Sequence, residues 1–179
     1  MKTRLFLFLV VASIAFTSCN LSSSSNKSPQ IFFVTNPFVN KSDSLNSYLT
    51  DDGVYHMDTI NVGDTVTFRI LLYGYANNLL TCNITQSDTT STKILFPGKN
   101  SLDSIFVSAT SDYTNGKFIF KNKISSLYFP FKYVARKATK DAKISFYLSS
   151  DANFDNSSSI GGGGNAVSFV LQTPVKQPK

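Results

Sequence analysis

The chain has 179 residues, with 17 Lys and Arg against 11 Asp, a single His and a formal net charge of +6; Glu and Trp do not occur. One His rules out a histidine-rich zinc site and obliges any Ser-His-Asp triad to use His56. Lacking Glu, the chain lacks a strong helix former and a common general acid/base, and its many Thr, Ser, Phe, Tyr, Val and Ile residues favour strands in one domain with a substantial core.

Lys2 and Arg4 open the chain, an almost wholly apolar run from Leu5 to Phe16 follows, and small polar residues end it. This is the three-part form of a secretory signal. The run falls short of the ~20 helical residues needed to cross a bilayer core, so it reads as an export signal and not a permanent span. It closes on Phe16-Thr17-Ser18-Cys19. These residues resemble the lipobox of bacterial lipoproteins, and the Thr-Ser-Cys form with Phe in the usual place of Leu resembles those of the Bacteroidota. The resemblance stops at Cys19. It implies cleavage before Cys19, diacylglycerol on its thiol and acylation of its new amino group. Several acyl chains, at ~0.8 kcal/mol per buried CH₂, anchor stably where one does not. The other reading is an ordinary secretory signal with an incidental Cys.

The resemblance places the protein at the outer membrane, in contact with the membrane through its N-terminal lipid. Surface-exported lipoproteins of that phylum often carry acidic residues just after the cysteine, and here none precedes Asp43, which favours the periplasmic face over the cell surface. The expected layout is a signal peptide over 1–18, a lipidated Cys19 with a Ser-rich flexible tether over 19–29, a β-sandwich over 30–175 and a tail over 176–179. Removing 1–18 takes away Lys2 and Arg4 and leaves a net charge of +4. With Cys19 committed to lipid, Cys82 has no disulfide partner in the chain and reads as a buried, inert thiol.

Alternation dominates the rest. Val66, Phe68, Ile70 and Leu72 share one face against Thr65, Thr67 and Arg69; Ala142, Ile144, Phe146 and Leu148 repeat the pattern, as do Val167, Phe169 and Leu171. Weaker strand candidates are Ile31–Val34, Val54–Ile60, Leu79–Thr85, Lys93–Phe96, Ser104–Val107, Lys117–Lys121 and Leu127–Val134. Turn signals separate them, Asn115-Gly116 foremost. Pro130 interrupts its run, which predicts an edge or a bulge there. Many short strands with frequent turns predict an all-β, single sandwich of about 7–10 strands. The stretch Asn61-Val-Gly-Asp-Thr-Val-Thr-Phe68 resembles the entry strand of bacterial immunoglobulin-like and PKD-type domains, which implies an immunoglobulin-like sandwich.

Candidate chemistry is sparse. Asp151, Asn153, Asp155 and Ser159 offer oxygen side chains at the spacing of a calcium loop, but the bidentate Glu expected at its end is replaced by Gly162. The same residues also suit a polar loop with turn-capping Asn and Asp. Ser157 to Asn165 lacks the Lys and helix of a phosphate loop. Tyr73, Tyr75 and Tyr113 lie beside Asn and Asp, as sugar-stacking residues do, or serve as core and rim packing. Ser44, Thr59, Thr65, Thr89 and Ser104 each follow an Asp in a form that resembles the O-glycosylation acceptor motif of Bacteroidota. Turn-ending Asp before strand-starting Thr produces the same pattern. Lys121, Lys123, Lys132, Arg136, Lys137, Lys140 and Lys143 gather in one region, suited to anionic glycans or lipid headgroups, or to protecting strand edges.

Nothing in this pattern calls for a cofactor, and an exported protein is not expected to bind nucleic acid. No pair of aspartates sits in a recognisable hydrolase frame. The sequence therefore points to a non-catalytic, lipid-anchored module that binds a glycan or an outer-membrane partner protein. The alternatives are a structural subunit of a surface or pilus-like assembly and, behind it, a hydrolase.

Overall fold

The computed structural model describes residues 27–40, 43–50, 54–121, 123–154 and 164–178. The expected signal segment, Cys19 and most of the expected tether, together with Asp155 and Ser159 of the candidate calcium loop, lie outside the described residues.

In chain order the strands are β1 (Gln30–Phe33), β2 (Phe38–Val39), β3 (Asp43–Ser44), β4 (Ser47–Leu49), β5 (Tyr55–Met57), β6 (Ile60–Asn61), β7 (Thr65–Tyr73), β8 (Leu79–Gln86) and β9 (Thr92–Leu95). A short helix, α1 (Lys99–Asp103), precedes β10 (Lys117–Ile119), β11 (Ser126–Ala135), β12 (Lys143–Ser150), β13 (Ala166–Gln172) and β14 (Val175–Lys176). One sheet runs β3–β2–β7–β11–β9, with β1 also on β7; the other runs β10–β8–β12–β13–β5–β4. Both bury one face against a common core, so the protein is an all-β sandwich. The orders β1/β2–β7–β11–β9 and β8–β12–β13 correspond to the two sheets of an immunoglobulin-type domain. The parallel seat of β5 beside β13 follows from a chain that starts on the first sheet and crosses to the second.

Interruptions explain the many short segments. Pro37 lies between β1 and β2, which both pair with β7. Pro174 divides β13 from β14, and its carbonyl accepts the Ile60 N–H at 3.0 Å, so the parallel ribbon continues into β6 and β14. The Val54–Ile60 candidate likewise resolves into β5 and β6, parted at Asp58, whose carboxylate accepts the Asn46 N–H at 2.7 Å.

Alternation sets the core. Val66, Phe68, Ile70 and Leu72 of β7 are each 0% exposed. Ala142 and Ile144, Phe146 and Leu148 of β12 are buried as their pattern predicts, while Val167 and Phe169 are only partly covered. Stacked rings carry the contact from sheet to sheet: Phe68 on Phe131 at 4.8 Å, Phe131 near Phe146 at 6.2 Å, and Phe146 on Phe169 at 4.7 Å. Aromatic pairs at such spacings add about 0.5–1.5 kcal/mol beyond their burial. The Tyr133 hydroxyl shares a 2.7 Å hydrogen bond with the Thr173 hydroxyl, satisfying both buried groups across the core.

Two expectations change. Ser104–Val107 is not a strand. It follows α1 as a turn, with the Phe106 N–H donating to the Leu102 carbonyl at 2.8 Å. Leu102 and Phe106, four residues apart, both turn inward, and Phe106 packs on Phe118, Phe120 and Phe129. Pro130 lies inside β11, which is paired on both sides over part of its length. Its position is edge-like all the same, because β9 pairs only with Lys132–Ala135 and has ended before Pro130 is reached.

Asn115-Gly116 forms the turn its sequence predicts. Gly116 has φ +70°, and a Cβ there would meet the Ile84 carbonyl oxygen at 1.9 Å. Only glycine fits this approach.

Candidate functional site

Strand register determines which residues share the outer face of the first sheet. Because Ile70 and Leu72 point inward, Arg69, Leu71 and Tyr73 point outward. Across the sheet Phe32 and Tyr128 both pair with Leu71, which makes a row of Phe32, Leu71 and Tyr128. Gln30 and Ser126 flank Tyr73 in the next row, and Pro130 lies beside Arg69. Phe38 and Lys132 flank Thr67, and Leu95 follows Lys132. The face is apolar yet open: Phe32 is 43% exposed, Tyr128 49%, Val34 49% and Leu95 40%. An aromatic side chain offers about 150–250 Å², so Phe32 and Tyr128 each leave about 100 Å² in water. The Arg69 guanidinium lies over the Phe38 ring, 4.9 Å from its centroid, and adds polar donors at the margin.

Tyr73 and Tyr75 extend this face toward the β7–β8 turn. Their rings lie 4.5 Å apart, the Tyr75 hydroxyl donates to Gln30 Oε1 at 2.7 Å, and Lys27 Nζ stands 5.0 Å from the Tyr75 ring centroid. Tyr113 does not join them. It sits in the Asp112–Lys117 turn, packed on Phe118 and Phe106, and its hydroxyl donates to Asp103 at 2.8 Å. Desolvation, then the Asp103 carboxylate, pushes the Tyr113 hydroxyl up to about 12. Phe32, Leu71 and Tyr128 are not among the tyrosines the sequence singles out. The signal for them is a local break in alternation, in Phe32-Phe33, Ile70-Leu71-Leu72 and Tyr128-Phe129-Pro130-Phe131, where an apolar residue occupies an outward position.

Asp151 has a structural use. Its two carboxylate oxygens accept the Asn78 backbone N–H and side-chain amide, each at 2.7 Å, and so join the β7–β8 turn to the segment after β12. Asn153 is exposed beside it. Among the described residues no three His, Cys, Asp or Glu side chains gather as a metal site would require.

Ser44, Thr59, Thr89 and Ser104 are exposed, and Thr65 is half-buried at the start of β7. The aspartates before three of these residues also hold the backbone. Asp58 caps Asn46, Asp64 accepts the Asn61 N–H at 2.8 Å, and Asp88 accepts the Thr90 and Ser91 N–H groups at 2.9 Å. Hydrogen bonds from Ser91 and then Thr90 hold the Asp88 carboxyl far below the usual carboxylate range. Cys82 is fully buried, which pushes its thiol well up and keeps it out of thiolate chemistry. His56 stacks on Tyr48 at 5.6 Å, on the second sheet.

Comparison of the chain with protein-family models and with curated proteins finds no match.

Proposed function

We propose that this is a lipid-anchored envelope protein, held by Cys19 at the periplasmic face of the outer membrane, whose sandwich is a non-catalytic glycan-binding module. The observation that carries this reading is the row in which exposed Phe32 and Tyr128 flank half-buried Leu71, in the middle of a sheet whose other face already supplies the core. Exposed apolar residues set side by side across three strands, and not scattered singly, support an interaction role for this face.

Size argues for a glycan. Rows spaced by about 7 Å along strands and strands spaced by about 4.8 Å give a face on the order of 200–300 Å². A stable protein interface needs about 800 Å² on each partner, whereas a few sugar rings need no more than this. Flat aromatic faces meet the C–H faces of sugars, and Gln30 and Arg69 offer polar contacts at the margin. The aliphatic Val34 and Leu95 favour a second reading, in which the same face docks a partner protein in an envelope assembly.

Two measurements test the reading. Metabolic labelling with a clickable fatty acid should mark the wild-type chain and not Cys19→Ala, and unlabelled wild type would remove the anchor. Native affinity gels containing a neutral β-glucan or mannan should retard the wild type, with retardation lost in Tyr128→Ala. Retardation unchanged in that variant would remove the face.

A further inference from the structure

The two ends of the sandwich differ. Lys27 and Gln30 lie at the Tyr73–Tyr75 end, together with Asn78 and Asp151. Strand direction puts the opposite end at the β6–β7 turn, the β8–β9 turn, the β11–β12 loop and the start of β14. That tip is tied together by backbone bonds: Gly63 N–H to the Ala135 carbonyl at 2.9 Å, Arg136 N–H to the Ser91 carbonyl at 2.7 Å, and Thr139 N–H to the Val175 carbonyl at 2.9 Å.

Cations gather there. Arg136, Lys137 and Lys140 are exposed on the β11–β12 loop, with Lys93 and Lys176 to either side. Asp64, Asp88 and Asp141 share the region, but Asp64 and Asp88 turn their carboxylates onto backbone N–H groups of their own turns. A hollow opens on each side of the loop. One, of about 430 Å³, is lined by Gln86, Thr89, Lys93, Phe96 and Arg136. The other, of about 690 Å³, is lined by Ala138, Thr139, Lys140, Val175 and Lys176. The first has a fixed floor, since the Gln86 side chain accepts from the Ile94 N–H at 2.7 Å and donates to the Thr92 carbonyl at 3.1 Å.

We propose that this tip binds a linear, carboxylate- or sulfate-bearing glycan, laid across the β11–β12 loop from one hollow to the other. The loop's cations meet the acidic groups, and the apolar hollow walls take sugar faces. Lys132 and Lys93, in the outermost rows of the first sheet's outer face, connect that face to the tip, so one chain can lie on both. The inference rests on the glycan-binding reading for its class of polymer. It rests on anchorage at Cys19 for choosing a polymer over a lipid surface, because the chain enters at Lys27, at the other end, and the tip is the end farther from the anchor.

The test uses the full chain in a non-ionic detergent. Polygalacturonate in native gels should retard it more strongly than a neutral glucan does, and added salt should weaken the effect. The triple variant Arg136→Ser/Lys137→Ser/Lys140→Ser should lose affinity for polygalacturonate by about tenfold or more, as expected when charge-assisted contacts are removed. Lys137→Arg/Lys140→Arg should retain it, which separates lost charge from lost fold. Unchanged retention in the triple variant, with neutral-glucan binding intact, overturns this inference alone. Failure of polygalacturonate alone to bind also overturns this inference alone, whereas failure of both polymers to bind overturns the glycan reading itself. Sedimentation with phosphatidylglycerol-containing vesicles, lost in the triple variant while polygalacturonate is ignored, replaces the glycan with a membrane.

Discussion

The outer faces of the two sheets are built from strands of the same period, yet they differ in chemistry. On the first sheet the outward positions hold Phe32, Leu71, Tyr128 and Pro130. On the second, the three central strands hold Thr81, Asn83, Thr85, Ser145, Ser168 and Gln172 with Tyr147 and Val170 among them, and its exposed apolar residues lie mostly at the margins, on β4 and β5 (Tyr48 stacked on His56, Leu49, Tyr55) and at the start of β8 (Leu80). Both inner faces are filled with Phe, Ile and Leu, so the core asks nothing more of either outer face. An outward Thr or Ser is what a half-buried strand uses when it has only to fold. An outward Phe or Tyr row costs solubility, and the proposed binding role is placed on the first sheet because there the apolar residues line up across three central strands instead of at the margin.

Mutations can break or sharpen that contrast. The largest effect belongs to an inward ring. Phe68→Ala empties a site wholly shielded from solvent and stacked on Phe131, and should cost about 3–5 kcal/mol in urea unfolding. Phe32→Ala/Tyr128→Ala should cost less than ~1 kcal/mol yet lower glycan affinity about tenfold or more. A stability loss as large as that of Phe68→Ala would make the row part of the fold and erase the contrast. Smaller still is the acid response of the β8–β9 turn. The folded-state value of Asp88 is depressed, so its contribution is complete above its unfolded pKa of about 4 and is lost as pH falls through the folded value. Asp88→Ala should therefore flatten the acid limb of stability against pH and leave the limb above neutrality unchanged. On the second sheet, Thr85→Ala/Ser168→Ala should leave glycan binding unaltered and stability within about 0.5 kcal/mol.

The sequence was most legible where burial imposes a period. The faces of β7 and β12 follow from alternation, and the Asn115-Gly116 turn follows from a backbone that only glycine tolerates. It was less legible where short apolar pairs serve either geometry: Ile105 and Phe106 look like a strand, but Phe106 reaches the core from the turn after α1. β1, an edge strand, gives way to β2 at Pro37, and β13, paired on both sides, gives way to β14 at Pro174, in each case at a residue with no N–H for a ladder. The candidate site was half legible. Tyr73 and Tyr75 are adjacent on the page and in space, whereas Phe32 and Tyr128 are brought together only by pairing through β7, over a separation no local pattern reports. Tyr113 shared the composition of a sugar-binding tyrosine, but its ring and hydroxyl are spent on Phe118 and Asp103.

The most direct test is a residue-by-residue map of backbone amide shifts as a glycan bound in the affinity gels is titrated onto the isotope-labelled protein. Perturbations should concentrate at Phe32, Leu71, Tyr73 and Tyr128, with Thr85, Ser145 and Ser168 silent. Shifts centred on the second sheet, or spread evenly over both, would contradict the assignment of the first sheet's outer face as the binding surface.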